Sequence, residues 1–244
     1  MKTVFIGDIH GNPIWKKVIE NNPDAGRFVF VGDYFDSFTY SAVEQIANFK
    51  DIVEFKMASS AEVVLLIGNH DIHYYPGVTG TATAGFQRTL YFSILPVIEE
   101  HKEHLQIAYS FEDVLCTHAG VSEQYMKDNF KYDWQIDSIA DKLNMLFQYR
   151  PGKLSFPPHC YDPYGDDKDQ TPIWIRPKSL MRASKNIRKH YRQVVGHTKM
   201  PSLNIMHLKK WTGGNYFFID TINTSGEYLI READGTYHSN KIEN

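Results

Sequence analysis

An α/β fold is what this sequence predicts, and two observations carry the prediction: short apolar runs rich in β-branched and aromatic residues recur along the chain, and helix-like segments lie between them. A third observation points to function. Nearly every buried run ends in Asp, Asn or His.

The first run, in "MKTVFIGDIHGN", places Val4, Phe5 and Ile6 in a buried strand that hands Asp8 and His10 to a loop. Residues two apart on an extended segment share a face, so these two side chains point the same way. Residues 15–21 follow Pro13 at a first turn and predict a helix. The second strand, "RFVFVGD", leads into "GDYFD" and closes on Asp33 and Asp36. Residues 41–56 carry Val43, Ile46, Ala47, Phe49, Ile52 and Val53 in a helical pattern, and "EVVLLIGNHD" then gives a third strand ending in Asn69, His70 and Asp71. A more mixed helix is expected over 85–100. "VLCTHAG" delivers His118 and "QVVGHT" delivers His197, while "YFFIDT" and "GEYLIRE" supply two further strands. Several of these runs are continuously apolar, as strands buried on both faces are.

The interval 122–192 holds one helix, "DSIADKLNMLFQYR", followed by a Pro-, Gly- and Asp-rich stretch. It reads as an insertion or lid over the sheet within a single domain spanning 1–244. Residues 176–192 contain seven Lys or Arg and no acid, with Leu180, Ala183, Ile187 and Tyr191 at helical spacing. That is an amphipathic helix with a basic face, ordinarily a solvated one, although its place in the chain also suits a multiply phosphorylated substrate. The acidic stretch "DPYGDDKD" lacks the spacing and terminal Glu of a calcium loop.

Composition narrows the class. At 244 residues and 42% hydrophobic content the chain can bury one large core. A formal charge of −3 gives no global basic signature, so a phosphate-bearing partner must be met by a local patch. Cys116 and Cys160 are too few for a disulfide framework, Asp8 interrupts the first apolar run before it resembles a signal peptide, and no apolar stretch approaches the roughly 20 residues that cross a bilayer. A reduced, cytoplasmic protein without membrane spans is expected, with Cys116 inert inside its strand.

A single Gly-Asp after a strand is ordinarily a turn. Turn chemistry, however, has no use for histidines at successive strand ends, and ligands of open α/β sheets gather outside the carboxyl ends of the strands. Asp, His and Asn without thiolate suit divalent Mn, Fe or Zn; Ca prefers all-oxygen cages and structural Zn recruits Cys. Asp8, His10, Asp33, Asn69, His118 and His197 make six donors, more than one tetrahedral ion needs, so two divalent ions are expected.

The ordered set GDIHG, GDYFD, GNHD, THAG and GHT, spanning residues 7–198, resembles the calcineurin-like metallophosphoesterases, nearest by motif to the serine/threonine phosphoprotein phosphatases and the symmetrical dinucleoside tetraphosphate hydrolases. The resemblance implies a four-layer αββα sandwich of two mixed β-sheets flanked by helices. It assigns Asp8 and His10 to a first metal, Asp33 as the bridge, and Asn69, His118 and His197 to a second. His70 becomes the proton donor to the leaving group, paired with Asp36, and Arg176 in "PIWIRP" the grip on phosphate. The implied chemistry is hydrolysis of a phosphate ester by a metal-bridging hydroxide. Asp220 in "FFIDT" reads as structural, reaching the site, if at all, through a histidine; His73 reads as a pocket-wall or surface residue. One departure matters: the phosphoprotein phosphatase type continues its second motif with an arginine, where this chain has Ser37. Phosphate binding should therefore lean on Arg176, and an arginine placed at Ser37 should be a gain. Phosphoprotein, dinucleoside polyphosphate and phosphorylated nucleic-acid ends stay open as substrates; the oligomeric state is not legible. A non-catalytic protein-binding scaffold of the same fold is the rival from another class, but such a scaffold would be expected to lose ligands that are all present here.

Overall fold

The computed structural model describes all residues except 79–85, 87, 132, 157–161, 163, 204–209, 211–212 and 243–244. Among the described residues, strands run in chain order as β1 (Thr3–Ile6), β2 (Arg27–Phe30), β3 (Glu62–Leu66), β4 (Leu105–Gln106), β5 (Ala108–Phe111), β6 (Val114–Thr117), β7 (Arg192–Val195), β8 (Tyr216–Phe218), β9 (Glu227–Arg231) and β10 (Tyr237–Lys241). They form a six-stranded sheet, β10-β9-β1-β2-β3-β4, and a four-stranded sheet, β5-β6-β7-β8. In the first, β1 to β4 are parallel, with β9 and β10 added antiparallel at one edge. In the second, β6, β7 and β8 are parallel and β5 runs against β6.

Alternation along the strands explains the layers. Phe5, Val29, Val64 and Leu66 share a core with Val114, Cys116, Val194 and Phe217, which is the seam between the sheets. Their neighbours Val4, Ile6, Phe28, Phe30 and Leu65 turn the other way, into a core with Trp15, Val18, Phe49, Ile52 and Ile98. Those residues come from the helices α1 (Trp15–Glu20), α2 (Ala42–Ala58) and α4 (Arg88–His101). On the far side, Leu115 packs in the same cluster as residues of α5 (Glu123–Phe130) and α6 (Ile139–Tyr149), among them Met126 and Leu143. Helices therefore flank two mixed sheets. With both faces covered, the strands must be continuously apolar, which is how they read.

Two expectations need correction. The helix expected from 85 begins at Arg88; Gly85 lies outside the described residues, as does Cys160. The basic helix expected over 176–192 is only α7 (Pro177–Ala183), followed by a single 3₁₀ turn at Ile187–Lys189. Buried Ser184 ends it: its Oγ donates to Leu180 O (2.5 Å) and also meets the Tyr216 hydroxyl (2.6 Å), so the side chain competes with helix continuation. Among the described residues, the interval 122–192 thus carries α5 and the shortened α7 beside the expected α6.

Candidate metal centre and phosphate site

The parallel strands all discharge at one end of the molecule. Asp8 and His10 follow β1, Asp33 and Asp36 follow β2, the short helix α3 (Asn69–Ile72) follows β3, His118 follows β6, His197 follows β7 and Asp220 follows β8. Most of these residues line one cavity of about 670 Å³, with Ser37, Phe38, Tyr40, Arg176 and Lys199.

Backbone geometry at the strand ends is unusual. Six non-glycine residues have positive φ among those described, and four are His10 (45°), Asp33 (54°), Asp36 (61°) and His197 (63°). Left-handed backbone costs on the order of 1–3 kcal/mol per residue, and it persists where surrounding bonds over-determine it. Asp71 supplies much of that restraint: Oδ2 accepts from Asp33 N (2.8 Å) and Gly68 N (2.8 Å), and Oδ1 accepts from Tyr34 N (2.8 Å) and Phe35 N (3.3 Å). One carboxylate bolts the loop after β2 to the turn after β3. Two glycines give the other carboxylates room. A Cβ at Gly68 would lie 2.0 Å from Asp33 Oδ1, and one at Gly196 would lie 2.0 Å from Asp8 Oδ1.

The histidines are fixed by what their outer nitrogens do. His10 Nδ1 donates to Phe35 O (2.8 Å) and His118 Nδ1 to Val31 O (2.7 Å). A carbonyl can only accept, so in a neutral ring each Nε2 keeps a lone pair. Both Nε2 atoms turn toward Asp33 Oδ2, at 3.7 and 3.4 Å. His197 is the mirror case: Nε2 donates to Trp174 O (3.0 Å), leaving the Nδ1 lone pair 2.8 Å from Asn69 Oδ1. His118 Nε2 lies 2.9 Å from the same oxygen. Between neutral rings acceptor thus faces acceptor, an arrangement that a bound cation or a proton would relieve.

The carboxylates give the same indication. Burial, with Asp220 and Asp33 close by, pushes the Asp8 carboxyl well above the usual range. Burial and Asp33 likewise raise Asp220, to about 6, and its Oδ1 has no hydrogen-bond partner among the described residues. Burial would raise Asp33 too, but His118, His70 and His10 outweigh it and hold that carboxyl well below the usual range. Donor atoms of Asp8, Asp33 and His118 lie within 4.8 Å of one another. The donor set fits a divalent cation.

Beside this cluster, His70 Nδ1 lies 3.0 Å from Asp36 Oδ2, and its backbone N donates to Asp33 Oδ1 (2.9 Å). Burial opposes its charge, but Asp33 and Asp36 prevail and hold His70 above its ordinary value. Asp36 also accepts from the Tyr74 hydroxyl (2.6 Å) and has His73 Nε2 at 3.0 Å; burial pulls it up, yet these partners hold it at about 2. His73 is therefore neither a surface residue nor a wall of the cavity but a buried neighbour of Asp36. Arg176 donates through Nε to Tyr164 O (2.7 Å) and through Nη1 to His197 O (3.0 Å) and Thr198 Oγ1 (3.1 Å), which leaves Nη2 without a partner among the described residues. Ser37 is buried, and its Oγ accepts from Thr39 N and Tyr40 N (both 3.1 Å).

The structure thus brings every predicted site residue to one end of the two sheets. Asp220 departs from its reading: it lines the cavity with Asp8 and does not act through a histidine. Lys199 also lines the cavity, and no sequence pattern marks it. Of the interval 122–192, only Arg176 lines the cavity among the described residues. Burial raises the Cys116 thiol, as an inert strand cysteine requires.

A family model described as calcineurin-like phosphoesterase matches residues 1–208. No curated protein matches the chain. Among solved structures, the cold-active protein-tyrosine phosphatase of a psychrophile, a Shewanella species, is 17% identical, with 98% of this chain and 80% of that one covered at a TM-score of 0.62. A protein serine/threonine phosphatase from Saccharomyces cerevisiae is 14% identical over 100% of this chain and 81% of its own, at 0.52. At such identities the likeness is one of fold.

Proposed function

The chain belongs to the calcineurin-like phosphoesterase family, and from that premise we propose that it is a metal-dependent phosphatase cleaving a phosphate ester. Asp8, His10, Asp33, Asn69, His118 and His197 would hold two divalent ions, with Asp33 between them; Mn or Fe suits these donors, and Zn also fits. When bound, such ions acidify a water and offset the charge of phosphate oxygens. The observation that carries this reading is the convergence of donors: three histidines, each with one nitrogen committed to a carbonyl, turn the other nitrogen toward Asp33 or Asn69.

The other groups have separate tasks. Arg176 is anchored through Nε and Nη1, so Nη2 is the donor left to hold a phosphate oxygen. His70, oriented through Nδ1 by Asp36, presents Nε2 to the leaving-group oxygen and gives it a proton. Tyr74 and His73 keep Asp36 ionised and in place. The test is metal analysis together with p-nitrophenyl phosphate turnover for the chain and for Asp33→Asn. Two ions per chain and Mn-dependent turnover are expected, with most of both lost in the variant. Near-normal turnover with two ions retained in Asp33→Asn would remove the bridging role.

A further inference from the structure

A second concavity, of about 580 Å³, lies away from the donor cluster and is lined by Lys127, Lys168, Arg182, Lys185, Arg188 and Lys189. All six are exposed, and among the described residues none is ion-paired to a carboxylate. The one acid in the lining, Glu123, is already engaged, accepting from Asn186 N (2.5 Å) and Asn186 Nδ2 (3.0 Å). Six cations against one carboxylate in one hollow of a chain whose formal charge is −3 repel one another, and they concentrate an anionic partner. Among the described residues no aromatic side chain lines this groove, so they offer no stacking platform and read charge alone.

Its position ties it to the cavity. The N-terminal end of α7 begins beside Arg176, and the C-terminal end carries Arg182 and Ala183 into the groove. Seven residues rising about 1.5 Å each put the groove about 10 Å from the arginine. That is a stride of a few phosphates along a chain.

We propose that this groove binds a linear chain of phosphates and presents its terminal phosphate to the catalytic cavity; the presentation step rests on the phosphatase reading, whereas the binding does not. The shared chemistry has two sources, a nucleic-acid strand or inorganic polyphosphate, and the assay separates them. Anisotropy of a labelled 12-nucleotide oligothymidylate on the full chain should show affinity falling about 50-fold between 50 and 200 mM salt, as expected when about four single-strand phosphates are neutralised. Binding of the oligonucleotide identifies a nucleic-acid strand; binding of polyphosphate alone identifies the anhydride chain. The triple variant Arg182→Glu, Lys185→Glu, Arg188→Glu should lose roughly tenfold or more in either case. It should also raise KM for a substrate ending the bound chain, leaving p-nitrophenyl phosphate turnover unchanged. Equal binding by variant and wild type, or competition by polyglutamate as strong as by polyphosphate, would overturn the proposal. Groove-dependent binding in a chain that hydrolyses no phosphate ester would overturn only the phosphatase reading and the presentation step.

Discussion

At the scale of single residues, the polar groups at the cavity are held by the scaffold through particular atoms. His70 is held twice: Nδ1 belongs to Asp36, and the backbone N to Asp33. His70→Asn should therefore keep both ions and lose roughly 10²- to 10⁴-fold in kcat, the scale of a positioned acid. A fall in bound metal instead would make His70 a ligand. The same bookkeeping reverses an expectation at Ser37. Read from the sequence, an arginine there restores a phosphate clamp; in the structure the serine Oγ ties down Thr39 N and Tyr40 N, and its own N donates to Gln45 Oε1. Ser37→Arg would break that turn and force a guanidinium into a buried position. A lower Tm with no gain in kcat/KM on a small phosphomonoester is the expected outcome. A tenfold gain would show that the turn yields and that the clamp can be restored.

At the scale of elements, the sequence made the strands and their carboxyl-end residues legible, because a strand buried on both faces leaves a continuous apolar run and an abrupt polar stop. Helix limits were less legible. The periodicity of Leu180, Ala183 and Ile187 continues through Ser184, yet a buried hydroxyl with two oxygen partners ends α7 there, and no pattern of apolar spacing announces that bond. The join between elements was least legible of all. Asp71 looks in sequence like one more polar residue of "GNHD", whereas its four backbone donors come from two loops some 35 residues apart. A buried donor left without its acceptor costs about 1–3 kcal/mol, and an asparagine would point an N–H at donors. Asp71→Asn should lower Tm and metal content together, without Asp71 touching a metal. Loss of Tm alone, with two ions still bound at wild-type affinity, would mean that the turns hold their shape unaided.

At the scale of the whole molecule, the two sheets bring six strand ends to one point, and that convergence carries a cost no single strand reveals. Asp8, Asp33 and Asp220 are all buried there, two of them pushed toward the protonated state by each other and by burial. Asp220 reads from the sequence as structural, in a segment that resembles the family's strand after the last histidine; only the packing of β8 beside β7 brings it to Asp8. Cations and carboxylates should therefore stabilise each other. Chelation is expected to lower Tm, and added Mn to raise it with concentration as RT ln(1 + [L]/Kd) requires. Asp220→Asn makes the argument decisive, since removing one of three crowded carboxylates relieves repulsion in the metal-free chain but removes charge that favours the bound one. Its Tm should be higher than wild type in chelator and lower than wild type at limiting Mn. A variant less stable under both conditions would make Asp220 a packing residue after all, and the sign of the chelator measurement alone separates the two roles.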